Sequence, residues 1–136
     1  MSNTYHGNLA AKAASHANIT ASGTGDIIDV SQYEDVKFVI LTATTTTADG
    51  SNTLTFSIEE GDTPSTLADA AAVASDRVHG SAVINAASQD NVVLTIGATV
   101  GIKKYMRLKW TEVGTTDTNW GAIALLGGAR HLPAQT

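Results

Sequence analysis

Apolar and polar positions alternate most cleanly over Thr53-Leu54-Thr55-Phe56-Ser57-Ile58-Glu59-Glu60. Side chains of a strand point to opposite faces in turn, so Leu54, Phe56 and Ile58 line a buried face and Thr53, Thr55, Ser57 and Glu59 a wet one. Gly61-Asp62-Thr63-Pro64-Ser65 breaks the run. The same period returns in Lys103-Lys104-Tyr105-Met106-Arg107-Leu108-Lys109-Trp110, where Met106, Leu108 and Trp110 share one face and Lys103, Tyr105, Arg107 and Lys109 the other. Residues 36–42, rich in β-branched and aromatic side chains, read as a central strand. Shorter strands are expected at 26–30, 77–80 and 82–84, and longer ones at 91–96 and 120–126. Thr44 to Thr47 with Ala48-Asp49-Gly50-Ser51 reads as a strand end and a hairpin turn, since Asp-Gly supplies a positive φ. Residues 66–74 suit a short helix or an irregular crossover.

The first 24 residues differ in kind. They are rich in Ala, Asn, Ser and Thr, with Lys12 as the one basic side chain and Leu9 and Ile19 as isolated apolar ones. Asn8 could cap a short helix over Leu9-Ala10-Ala11-Lys12-Ala13-Ala14. Such a helix has almost nothing to bury, so the segment reads as an extended N-terminal arm that a neighbouring subunit would order. Deleting residues 2–20 is then expected to leave a folded domain. The resulting division is an arm at 1–24, a β-sandwich at 25–128 and a polar tail at 129–136.

Seven or eight short strands with turn signals between them, and no alternation of strands with helices, make the fold class all-β: an antiparallel, jelly-roll-like sandwich. No internal repeat has a fixed period. At 136 residues one core can form, and with 43% hydrophobic but only 5% aromatic residues it must be built from Val, Ile, Leu and Ala around Phe38, Phe56, Trp110 and Trp120. There are no cysteines, which excludes disulfides, thiolate nucleophiles and Cys-ligated zinc. No apolar run reaches the roughly 20 residues of a membrane span, and no signal-peptide core opens the chain, so a soluble protein made in a cytoplasm, without a membrane partner, is expected. A net charge of −5 opposes nonspecific nucleic-acid binding.

Candidate chemistry is sparse. The four histidines, at 6, 16, 79 and 131, have no metal-ligand spacing, and no Gly-x-Ser-x-Gly elbow appears. Gly23-Thr24-Gly25 runs into Asp26, which makes it a turn and not a phosphate loop. Glu59 and Glu60 are adjacent on a strand and face opposite sides, so they form no carboxylate pair. Asn18-Ile19-Thr20 matches a glycosylation sequon without a secretion signal. No enzyme activity, metal or cofactor is expected. The row Lys103, Arg107 and Lys109 reads either as a solvated face pairing with Ser57, Glu59 or a loop acid, or as a docking surface for an acidic partner. On the second reading, Arg107→Glu with Lys109→Glu spares folding and weakens attachment.

The strand order also carries a resemblance. Gly25-Asp26-Ile27-Ile28-Asp29-Val30 leads through Tyr33-Glu34 to the strand at 36–42. Leu54-Thr55-Phe56-Ser57-Ile58-Glu59-Glu60-Gly61-Asp62 follows, then Gly101-Ile102-Lys103-Lys104-Tyr105-Met106-Arg107-Leu108. The chain closes with Ala122-Ile123-Ala124-Leu125-Leu126-Gly127-Gly128-Ala129-Arg130-His131-Leu132-Pro133. Over residues 25–133 this resembles the small β-sandwich virion proteins of tailed bacteriophages, in particular capsid decoration or cement proteins. The resemblance implies a non-enzymatic protein on the capsid exterior, a homo-oligomer (often a trimer) that braces the major capsid protein. No motif of that family fixes contact residues. Read from the residues themselves, the partner-binding candidates are Tyr5, Leu9, Lys12 and Ile19 of the arm and Lys103, Arg107 and Lys109 of the basic row. Two other readings stay open: a different virion role in the tail, head completion or fibre, and a glycan-binding module, for which Trp120 beside Asn119 is the one aromatic candidate if it does not lie in the core.

Overall fold

The computed structural model of the chain describes residues 9–128; Tyr5 and the tail at 129–136 fall outside them. In chain order the strands are β1 (Leu9–Ile19), β2 (Gly23–Thr24), β3 (Ile28–Asp29), β4 (Asp35–Thr42), β5 (Thr53–Gly61), β6 (Ala71–Ala72), β7 (Val78–His79), β8 (Ala82–Ile84), β9 (Val93–Thr99), β10 (Tyr105–Val113) and β11 (Thr118–Gly127). One sheet has the order β1-β11-β4-β9-β7. The other runs β2-β10-β5-β6, with β3 also pairing β10 and β8 also pairing β5. All pairings are antiparallel.

The pairings are nested. The first strand pairs the last (β1 with β11), the next ones inward pair β10, then β4 pairs β9 and β5 pairs β6 and β8. A single long hairpin folded over so that successive segments alternate between two sheets gives this order, which is the winding of a jelly roll. The all-β sandwich expected from the turn-separated strands is therefore what forms, with β4 central in its sheet.

Residues expected to form a free arm belong to this winding. Leu9–Ile19 is a strand, not a capped helix, and pairs with β11 from Leu9 opposite Leu126 to Ile19 opposite Thr118. Ala13 is fully buried, and Ala11, Ala14 and Ile19 pack on the core. Alanine's helix propensity is a weak prior, and an eleven-residue ladder with buried methyl groups overrides it. A second expectation also fails: residues 43–52 form no hairpin, because β4 and β5 lie in different sheets. The segment instead crosses the sandwich, tied down by Thr45, whose backbone N–H and hydroxyl both donate to Asp90 Oδ1 at 2.6 and 2.9 Å. Residues 66–74 are an irregular crossover containing β6.

The core fills the space between the sheets with Phe38, Ile40, Leu54, Ile58, Met106, Leu108 and Leu126. Trp120 lies edge-on to Phe56 and to Trp110, with ring centroids 4.9 and 4.7 Å away. Small residues make room for these rings: a methyl group on Gly23 would come within 3.0 Å of the Trp110 indole, whose Nε1 donates to the Ala21 carbonyl at 3.1 Å.

Candidate functional site

The two outer faces of the sandwich differ in chemistry. On the β10–β5 face, Arg107 stands opposite Glu59 and Lys109 opposite Ser57. Arg107 Nε donates to Glu59 Oε1 at 2.9 Å, and Lys109 Nζ lies 3.7 Å from Glu59 Oε2. Lys103 reaches Asp62 at 3.4 Å. The row expected either to pair with acids or to dock an acidic partner is paired with acids, including the Glu59 partner named from sequence.

The opposite face is apolar. Cross-strand register sets Lys12, Ile123, Val39 and Thr95 in one outward row across β1, β11, β4 and β9. Gly121, Leu41 and Val93 form the next row, and Leu125 stands beside Lys37 on the other side. Leu41 and Val93 are 55% and 59% exposed, Ile123 and Leu125 46% and 42%. Side chains of this kind in adjacent rows make one contiguous patch, unlike the scattered apolar residues of an ordinary surface.

The patch is also hollow. β1 shifts register between Lys12 and Ala14 and again between Ala14 and Ala17, and such bulges bend a strand. The bend carries His16 over Gly121, where an added methyl group would come 2.9 Å from the His16 Cα. Between this raised edge and Leu41 and Val93 runs a groove of about 560 Å³, floored by Val39, Gly121 and Ile123. Lys12 stands on its β1 wall, 3.6 Å from Asp26 and 3.2 Å from the Ser15 hydroxyl.

Of the residues singled out from sequence, Lys12 alone lies at the groove. Leu9 opens β1, Ile19 packs on the core, Tyr5 lies outside the described residues, and Lys103, Arg107 and Lys109 occupy the other sheet. Trp120, the aromatic candidate for a sugar site, is fully buried, as the core reading had it. Leu41, Val93, Ile123 and Leu125 were missed. Their signal is present: residues 38–41 and 122–126 are apolar at both parities, a pattern that marks strands covered on both faces. In this chain the second cover is absent among the described residues.

Among the described residues no three His, Asp or Glu side chains gather as a metal site, and no helix is long and apolar enough to cross a membrane. No family model matches the chain, and no curated protein matches it. Among solved structures, the chain is similar to the SPBc2 prophage-derived protein YomS, with a TM-score of 0.49 and 9% identity over 88% of this chain and 91% of that one. It is similar also to a chain in the structure of infectious bursal disease virus Gx strain, with a TM-score of 0.47 and 12% identity over 93% of this chain, which spans 34% of the viral chain.

Proposed function

We propose that this protein is a non-enzymatic structural subunit of a virus particle, a decoration protein that attaches to the outside of an assembled capsid as a homo-oligomer and braces neighbouring capsid subunits. The observation that carries this reading is the apolar face of the β1-β11-β4-β9 sheet, which the described residues leave uncovered and on which Leu41, Val93, Ile123 and Leu125 are exposed. A contiguous exposed apolar patch is the mark of an interaction surface, and in this reading its partner is another protein. The resemblance of the strand pattern to phage cement proteins supports the same reading. On a lattice, individually weak contacts add through effective concentration, so a small domain can hold a shell without large interfaces.

The test mixes the purified protein with shells of the virus that encodes it. Saturable co-sedimentation, with a higher temperature of shell disruption, is expected. Failure to pellet with shells at saturating protein, or pelleting with isolated tails instead, sinks the decoration reading.

A further inference from the structure

Away from the apolar groove the sheet changes character. Along β4, Val39 and Leu41 border the groove, whereas Asp35 and Lys37, at the start of the strand, border a second, polar hollow shared with β9 and β7. Cross-strand register accounts for it. Lys37 and His79 are both partners of Gly97, so the row across β4, β9 and β7 has an empty place in its middle. Thr95 and Thr99 flank that place along β9. The backbone keeps it empty, since a methyl group on Gly97 would come 2.9 Å from the Val36 carbonyl oxygen.

Folding leaves the polar groups round the hollow unspent. The side chains of Asp35, Lys37 and Thr95 make no hydrogen bond or ion pair among the described residues, although Asp35 and Lys37 stand two residues apart on one face of β4. His79 Nε2 and Thr99 Oγ1 are 2.7 Å apart in a hydrogen bond that ties the imidazole to the rim. One carboxylate, one ammonium and two hydroxyls thus offer acceptors and donors together. Their charges decide the class of ligand. Asp35 repels an anion that Lys37 would attract, and Lys37 repels a cation that Asp35 would attract. A neutral polyol satisfies both, because each of its hydroxyls can donate to the carboxylate or accept from the ammonium. The hollow, at about 260 Å³, is smaller than the roughly 300 Å³ at which sites for drug-sized ligands begin, and so suits one sugar ring.

We propose that this hollow is a binding site for a single neutral sugar unit, seated over Gly97, with neighbouring hydroxyls bridging Asp35 and Lys37 and others meeting Thr95 and the His79–Thr99 pair. No aromatic ring lines the hollow, so the sugar is held by hydrogen bonds, each of which replaces one to water. Weak binding follows, with a Kd of about 1–10 mM. The site takes nothing from the apolar groove. A protein that ignores shells leaves it standing, and a protein without it can still hold a shell.

Titration of the full chain, followed by its backbone amide NMR signals, tests the site. The probes are the methyl glycosides of glucose, galactose, mannose and N-acetylglucosamine, which cannot condense with a lysine amine. At least one is expected to give saturable shifts confined to residues 35–37, 79 and 95–99. Asp35→Ala and Lys37→Ala should each raise its Kd about tenfold with unchanged melting curves, since each deletes a hydrogen bond to a charged group. Thr95→Val, which removes only a hydroxyl, is the further variant should either of these melt early. Acetate and phosphate at matched ionic strength are run beside the sugars. An anion that saturates the hollow more tightly than every glycoside overturns the assignment. So do glycosides that give no saturable shift or shift other residues, and variants that bind like the wild type.

Discussion

Arg107 and Glu59 face each other across β10 and β5 with Nε 2.9 Å from Oε1, and the other oxygen of the same carboxylate lies 3.7 Å from Lys109. One acid thus takes up two cations. The side chains of Arg107 and Glu59 are only 18% and 12% exposed, so the pair is shielded more than an ordinary surface ion pair. The cations belong to the sheet, and the surface left without a partner among the described residues is the apolar one.

Reversing the charges should therefore damage the fold. Arg107→Glu with Lys109→Glu would set three carboxylates together where one now bridges two cations. A loss of about 1–3 kcal/mol is expected, the cost of breaking a charged hydrogen bond and leaving a half-buried acid unpaired. Urea unfolding measures it as a lower midpoint at constant slope. The swap Glu59→Arg with Arg107→Glu should recover much of that loss. An unchanged midpoint in the reversed variant would show the pair to be a solvated decoration.

Glu60 points the other way, into the sandwich, with its side chain 11% exposed. Its Oε2 is bound by Arg77, which also donates from Nη1 to the Thr99 carbonyl at 3.0 Å, while Oε1 is buried without a partner among the described residues. Arg77→Met removes that cation from an already under-satisfied carboxylate, and a loss of about 3 kcal/mol is expected. Adding Glu60→Leu should restore most of it, because a buried ion pair replaced by apolar groups of similar size is often neutral. Thermal unfolding of the single and double variants decides between this and a pair that contributes nothing.

The loop after β5 should respond to acid. Asp69 accepts the backbone N–H groups of Asp62 at 2.9 Å and Thr63 at 3.0 Å, and these bonds hold its carboxyl well below the usual carboxylate range. A depressed folded value means that the stabilisation is complete above the unfolded carboxyl value of about 3.9 and drains away as pH falls towards the folded one. Protection of the Asp62 and Thr63 amides against hydrogen exchange is expected to be flat from about pH 7 to 5 and to fall by up to about tenfold per unit below about pH 4. Asp69→Ala should lose that protection and its pH dependence together.

How much of this was legible in the sequence depended on side-chain size. Leu54, Phe56 and Ile58, or Met106, Leu108 and Trp110, alternate with polar residues strongly enough to assign both strand and face. The partners of those strands could not be read, since nested pairing such as β1 with β11 joins residues about a hundred positions apart. Size also concealed the apolar groove, because its floor is a glycine that only the bend of β1 makes necessary. Arg107, Lys109 and Lys103 attracted notice by their charge, but whether a charge is spent depends on what lies across the sheet.

The least legible strand gives the last prediction. β1 announces itself by neither large side chains nor β-branched runs, yet it completes the sheet along β11 and buries Ala13, whose carbonyl accepts the Asp26 N–H at 2.8 Å. Gly25 passes so close to that carbonyl that a methyl group there could not be accommodated without backbone movement. Deleting residues 2–20 would strip the ladder from β11, the strand that carries the fully buried Trp120, and expose one edge of the core. Loss of a cooperative melt is expected, together with a red shift of tryptophan emission, where a free arm would have left both unchanged. Gly25→Ala applies a milder version of the same stress, by pushing β1 outward at one point, and should lower the melting temperature without abolishing the transition. A truncated chain that melts like the intact one would return residues 9–19 to the role of an arm.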